Sequence, residues 1–209
     1  MKRYLAANVI VSNNAHWLND LKRRIEERGI GVKWQNKYYH ITLAFIYDIP
    51  EGVNERPALY KCLAYRTAPS LTFDKLDVFT TSSGNHVINL TSSNPSAEFC
   101  KLVSDVREAV DGLGCDYNQD FRLHVTLGRV AGEQISVDDL KAIIDEVSMP
   151  SFAYTLESVE YLRYDNHEKI DQWKFYPDEE AAEAAREERK RRAYRNALSN
   201  IQLFTDPNF

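Results

Sequence analysis

Two histidines and two threonines are the residues of this chain best placed to act together. His40-Ile41-Thr42-Leu43 lies within YYHITLAFI, and His124-Val125-Thr126-Leu127 lies within FRLHVTLGRV. Both stretches are β-branched and apolar, which reads as a strand with side chains alternating between faces. His40 and Thr42 then share one face, as do His124 and Thr126, while Ile41, Leu43, Val125 and Leu127 turn to the core. If the two strands lie side by side, two imidazoles and two hydroxyls converge. A neutral imidazole can activate water while a protonated one supplies a proton to a departing oxygen, both near neutral pH. The hydroxyls can donate to non-bridging oxygens as charge develops. That is acid–base chemistry on a phosphate. The spacing leaves open which histidine is the acid.

A single strand histidine is more often a structural residue than a catalytic one. Two copies change the balance, because a core seldom needs two His-Thr pairs on one face, each polar group requiring a partner. Alternation extends the site: Tyr38 shares a face with His40, and Arg122 shares one with His124. Arg122 would meet phosphate well, and Tyr38 could contact a base or ribose. Arg129, the third candidate for substrate binding, falls by parity on the opposite face, so it reaches the site only if the strand bends. Tyr39 and Phe121 read as core filling. His16, His86 and His167 belong to no motif, and surface or capping roles are expected for them.

No Cys, His or carboxylate cluster has metal-ligand spacing, so a catalytic metal is not implied. No Gly-rich phosphate loop occurs, so neither ATP nor another cofactor is expected. Cys62, Cys100 and Cys115 are odd in number and widely spaced, which suggests a reducing cytoplasm rather than a disulfide framework.

The elements that must hold these residues repeat. A strand over 3–11 leads into Ser12-Asn13-Asn14, a helix-capping stretch, and then Trp17, Leu18, Leu21 and Ile25 recur at helical spacing. Gly29 ends that helix, Val32 to Trp34 adds a short strand, and the first His-x-Thr strand follows over 38–47. Residues 54–65 read as a short helix and Leu71 to Phe79 as one strand. The order then recurs: a strand from His86 to Leu90, a cap at Ser93-Asn94-Pro95, and a helix marked by Phe99, Leu102, Val103, Val106, Val110 and Leu113. Gly112 and Gly114 stop it before the second His-x-Thr strand. From Tyr4 to His40 is 36 residues and from His86 to His124 is 38, which suggests two related lobes sharing a groove. A helix over 137–147, a strand from Phe152 to Tyr164 and a charged, Ala-rich helix from Asp178 complete the chain.

With 209 residues, 44% hydrophobic and 27% charged, the composition is that of an ordinary globular protein. The net charge of −5 argues against a grip on long nucleic acid, which leans on many Lys and Arg contacts. A nucleotide or an RNA terminus remains open as partner. No apolar stretch approaches the roughly 20 residues that span a bilayer, so no membrane partner is expected. The run after MKR is short and interrupted by Asn8, which fits a first strand better than a signal peptide. A cytoplasmic monomer is the expectation.

The duplicated H-x-T-L, each copy following a strand–helix unit, resembles the 2H phosphoesterase superfamily. Within it, the chain is similar to the 2′-5′ RNA ligase-like proteins and RNA 2′,3′-cyclic phosphodiesterases. The likeness covers roughly residues 2–165. It implies an α+β fold of two pseudo-symmetric lobes, with antiparallel sheets flanking a central cleft and helices outside. Residues 1–170 would form the bilobal domain and 171–209 a charged helical extension, solvated, or else approaching RNA or closing over the cleft with its basic half. The resemblance also implies that His40, Thr42, His124 and Thr126 are catalytic, and that cyclic phosphodiesters or 2′-5′ linkages are cleaved without metal. Opening of a cyclic phosphate would leave a 2′-phosphate. It admits 2′-5′ joining of RNA ends, or hydrolysis of cyclic or 2′-5′ oligonucleotide signals, as alternatives. A non-catalytic RNA- or nucleotide-binding protein is the reading from a different class.

Overall fold

Both repeated units form as their patterning requires. The computed structural model describes residues 2–12 and 14–205, with side chains described as far as Arg195. The first unit comprises β1 (Arg3–Asn8), α1 (His16–Glu26), β2 (Val32–Trp34) and β3 (His40–Asp48). After α2 (Arg56–Leu63), β4 (Ser70–Phe73) and β5 (Lys75–Thr80) come the matching elements of the second unit. These are β6 (His86–Thr91), α3 (Ala97–Asp111), β7 (Asp116–Tyr117) and β8 (Val125–Val130). The chain ends with α4 (Val137–Asp145), β9 (Phe152–Thr155), β10 (Ser158–Arg163), β11 (Lys169–Lys174) and α5 (Glu179–Thr205).

One antiparallel sheet runs in the order β11-β10-β1-β3-β8-β6-β5. The two lobes meet between β3 and β8, which share a single pair, Ile41 opposite Val125. Each unit also lends a short strand to the other: β2 pairs with β8, and β7 pairs with β3. The lobes are thus laced together beside both motifs. Helices α1 and α3 bury Trp17, Leu18, Leu21 and Ile25, and Phe99, Leu102, Val103, Val106 and Val110, the apolar stripes that fix them to the sheet. Gly29 and Gly114 adopt the left-handed backbone at matching points after the two helices, a conformation that a side chain would strain.

Several boundaries differ from expectation. The strand read over Leu71 to Phe79 is two strands, because the chain leaves a separate two-stranded sheet, β4-β9, at Asp74 and enters the main sheet as β5. Burial slips by one residue there, from Leu71 and Phe73 to Leu76 and Val78. The stretch from Phe152 to Tyr164 divides likewise into β9 and β10. The α3 cap is Ser96, whose Oγ accepts from the Phe99 amide at 3.2 Å. At α1 the Ser12 carbonyl accepts from the Ala15 amide; Asn13 of the expected cap lies outside the described residues, as do residues 206–209 of the tail. Strand β11 spans residue 170, and the last helix, α5, begins at Glu179. Ala182 of α5 is buried, and its Arg189 and Arg186 lie 4.3 and 5.8 Å above the rings of Tyr60 and Tyr65. These two guanidiniums stack on tyrosines at α2 and do not line the cleft. No helix among the described residues is long and apolar enough to cross a membrane.

Candidate active site

The seam between β3 and β8 creates the site. Ile41 and Val125 are fully buried, so strand alternation turns their neighbours His40, Thr42, His124 and Thr126 to the other face. Those four line one pocket of about 100 Å³, well under the volume of a site for a whole small-molecule ligand. Gln35, Tyr38 and Arg129 complete its wall.

Arg129 is there because of a β-bulge. Along the β6–β8 ladder Ile88 faces Gly128 and Asn89 faces Thr126, leaving Leu127 as the extra residue. The same happens at the corresponding point of the other motif: Leu5 faces Ala44 and Ala6 faces Thr42, leaving Leu43 extra. Each bulge sets two consecutive residues into the core, Leu127 with Gly128 and Leu43 with Ala44, and resets the alternation beyond. Arg129 and Phe45 therefore return to the cleft face. Placement of Arg129 on the opposite face, which simple alternation required, is corrected by this bend.

Gly128 lets β2 close over the β8 bulge. A Cβ on it would stand 2.7 Å from Val32 Cγ1 and 2.9 Å from the Trp34 ring, where β2 closes over the strand. Gly128→Ala is expected to cost about 1–3 kcal/mol, measured as a lower urea midpoint with unchanged slope.

The two imidazoles are held alike. His124 Nδ1 lies 2.9 Å from the Arg122 carbonyl and His40 Nδ1 lies 3.4 Å from the Tyr38 carbonyl. A carbonyl only accepts, so Nδ1 carries the hydrogen in both rings, leaving Nε2 for the cleft. Burial pushes His40 down to about 4, helped by the positive field of His124, His167 and Arg129 and opposed by its backbone hydrogen bond. Burial also lowers His124, with Arg129 and Arg122 adding to the effect. Negative charge between the rings would reverse this, since an anion favours the imidazolium.

The loop before the first motif is fastened to the second. The Gln35 amide donates to the carbonyl of Leu127, the bulged residue, at 2.8 Å, and Tyr39 Oη donates to the Gln35 carbonyl at 2.7 Å. Tyr38 packs on His40 with centroids 4.9 Å apart, and its hydroxyl donates to Glu160 Oε2 at 2.8 Å. Glu160 is itself buried and paired with Lys169. Burial and then Glu160 hold the Tyr38 phenol well above its ordinary range, so it stays a hydrogen-bond donor.

Arg122 stands elsewhere than Arg129. Its guanidinium lies 4.5 Å over the Phe79 ring, whose edge meets His124 at 5.1 Å. It forms part of the support around His124 and is not among the residues lining the pocket. Tyr39 is buried and Phe121 packs near Phe99, as core filling requires. His16 is exposed at the start of α1. His86 is not at the surface as expected: it is buried, 2.9 Å from Thr80 Oγ1 and 3.0 Å from the Ile135 carbonyl. It opens a strand covered on both faces, and both ring nitrogens are used as a brace. His167, in the β10–β11 turn, reaches Tyr4 Oη at 2.9 Å.

A larger groove of about 610 Å³ opens from this pocket. Toward β1, β3 and the β10–β11 turn it is lined by Tyr4, Phe45, Tyr164 and His167; toward β2 and β8, by Lys33, Lys37 and Arg129. Alternation along the motif strands pointed to none of these, Arg129 included, because the bulges and the lent strand β2 bring them in. Among the described residues, no group of three or more His, Cys, Asp or Glu side chains is arranged to hold a metal ion. The arrangement offers two facing nitrogen bases, two hydroxyls and a guanidinium around a space the size of a phosphoryl group.

Known proteins share this arrangement of elements. The Thermus thermophilus protein TT0787 superposes with a TM-score of 0.60 at 14% identity, covering 84% of this chain and 98% of its own. Usb1 of Kluyveromyces marxianus gives 0.57 at 10% identity, over 83% and 98%. Escherichia coli LigT complexed with 3′-AMP gives 0.53 at 17% identity, over 83% and 97%. A Thermotoga maritima protein named RNA 2′,3′-cyclic phosphodiesterase is 24% identical over 135 residues, 63% of this chain and 70% of its own. The family model described as the 2′-5′ RNA ligase superfamily matches residues 31–168, an interval that holds both His-x-Thr motifs. On that match, this chain belongs to the 2′-5′ RNA ligase superfamily.

Proposed function

We propose that the protein is a metal-independent phosphoesterase that opens the 2′,3′-cyclic phosphate of a nucleotide or RNA terminus by two-histidine acid–base catalysis. The observation that carries this reading is the pair of imidazoles facing one pocket with both Nδ1 atoms tied to backbone carbonyls. His40, held down to about 4, stays neutral at physiological pH and is suited to be the base. Its Nε2 takes a proton from water as the water oxygen bonds to phosphorus. The bond from phosphorus to O3′ breaks on the far side, and His124 as imidazolium gives that oxygen its proton. A 2′-phosphate remains, and the proton on His40 is returned to solvent or to His124. Thr42, Thr126 and Arg129 donate to the non-bridging oxygens, which carry the added charge. Run with a ribose hydroxyl in place of water, the same two proton transfers join RNA ends, which is the route to ligation.

Incubation with 2′,3′-cyclic nucleotides in excess EDTA tests the reading: a 2′-phosphomonoester should accumulate. Binding without turnover of any cyclic or 2′-5′ substrate would instead mark a binding protein. The pH dependence is a second test. Catalysis needs one neutral and one protonated ring, and kcat/KM reports the pair in the free enzyme. Both rings are lowered from the ordinary 6.5, so the kcat/KM bell should peak on the acid side of pH 6.5 and fall as pH rises further. Bound phosphate raises both, so the kcat bell should lie at higher pH. A kcat/KM maximum above pH 7 would contradict the pair being held neutral by burial.

A further inference from the structure

We propose that the groove beside the catalytic pocket contains a second anion subsite, built by Lys33 and Lys37 next to Arg129 of the catalytic pocket, that takes the 5′-phosphate of the terminal nucleotide. In RNA that phosphate is the next phosphodiester, so the site selects an RNA end over a free cyclic nucleotide. This rests on the terminal phosphate reacting between His40 and His124.

Lys33 and Arg129 are direct cross-strand partners in the β2–β8 ladder. Like charges opposite one another destabilise a sheet, and Lys37 adds a third cation to the same groove. No carboxylate lines that groove, and no ion pair is formed by these three among the described residues. The clustering runs against composition, since the chain as a whole carries −5. Glu160, the acid beneath Tyr38, is already engaged by Tyr38 and Lys169. An anion held by Lys33 and Lys37, beside the reacting phosphate on Arg129, removes the repulsion.

The two bulges give the groove a direction. Phe45 and Arg129 each stand three residues past the motif threonine, one on each pseudo-symmetric strand. Phe45 faces Tyr4 across the ladder, whereas Arg129 faces Val87. Phe45 also meets Tyr164 edge-on at 5.0 Å, and Tyr164 is half exposed. One end of the groove is therefore an aromatic surface for a base, and the other is cationic. The groove volume of about 610 Å³ is that of a site for a whole ligand, whereas the catalytic pocket holds only the reacting group. Base at one end, reacting phosphate in the middle and 5′-phosphate at the other end account for all three parts.

Calorimetric titration with three product-state ligands tests this: a nucleoside 2′-phosphate, the nucleoside 2′,5′-bisphosphate, and a dinucleotide ending in a 2′-phosphate. The bisphosphate and the dinucleotide should each bind about tenfold more tightly than the monophosphate, as one charge-assisted contact allows. Their advantage should shrink as salt rises, because it comes from one further charged contact that salt screens. The double variant Lys33→Gln/Lys37→Gln should lose this advantage, read as a ratio within the variant so that a general loss of affinity cancels. Lys61→Gln, an exposed lysine on α2, should keep it. Equal affinity for all three ligands, or an advantage that survives the double variant, would overturn the subsite while leaving two-histidine catalysis standing. An advantage for the bisphosphate alone would overturn selection of an RNA end. Binding of none of the three would overturn both.

Discussion

Replacing His124 by alanine is expected to lower kcat on a 2′,3′-cyclic nucleotide by about 10²–10⁴-fold, the contribution of a positioned general acid, yet to spare most of the activity on a nucleotide p-nitrophenyl phosphodiester. In the cyclic substrate the departing O3′ is an alkoxide that needs a proton as the bond to phosphorus breaks. Nitrophenolate leaves without one, so loss of the acid is bypassed. His40→Ala should lower both reactions, because water still has to be deprotonated whatever the leaving group. His40 is taken as the base because burial pushes it down to about 4; His124 is lowered as well and its Nδ1 is tied in the same way, so the two esters decide the assignment. Rescue of the nitrophenyl reaction in His40→Ala instead of His124→Ala would exchange the two roles. Kinetics of both variants on both esters make the measurement.

Arg129→Ala is the second large effect: a fall of about 10²–10³ in kcat, the size of losing one preorganised donor to developing charge. Arg129→Lys should recover only part of it, because an ammonium keeps the charge and loses the planar fork. Arg122→Ala should fall well short of either, since that guanidinium rests on Phe79 and stands outside the pocket lining. Reversal of that order would mean that the β8 bulge does not set the site.

Most of the architecture was legible because it is repeated and because its helices bear clean apolar stripes. Trp17, Leu18, Leu21 and Ile25, then Phe99, Leu102, Val103, Val106 and Val110, mark the faces of α1 and α3. The four motif residues follow from alternation over only three residues, too short a span for any bulge to intervene. What was illegible lies one step further along each strand. Leu43 and Leu127 look like ordinary inward residues, and nothing in their side chains announces that the next residue also turns inward. Gly128 was the available sign, since a glycine inside a strand often marks a bulge or a close approach. The division at Asp74 had a sign as well, in the one-residue slip from Leu71 and Phe73 to Leu76 and Val78. Lys33 and Lys37 could not be placed, because β2 crosses to the strand of the other unit, a pairing that no local pattern encodes.

The central claim, that His40 and His124 jointly open a phosphodiester, is tested most directly by a single turnover of an oligonucleotide 2′,3′-cyclic phosphate in ¹⁸O-water with excess EDTA, followed by ³¹P NMR. Two-histidine hydrolysis requires one ¹⁸O in a 2′-phosphomonoester from the native protein, and no product on the same time scale from the His40→Ala/His124→Ala double variant. An unreacted cyclic phosphate with native protein, or undiminished turnover in the double variant, would contradict it.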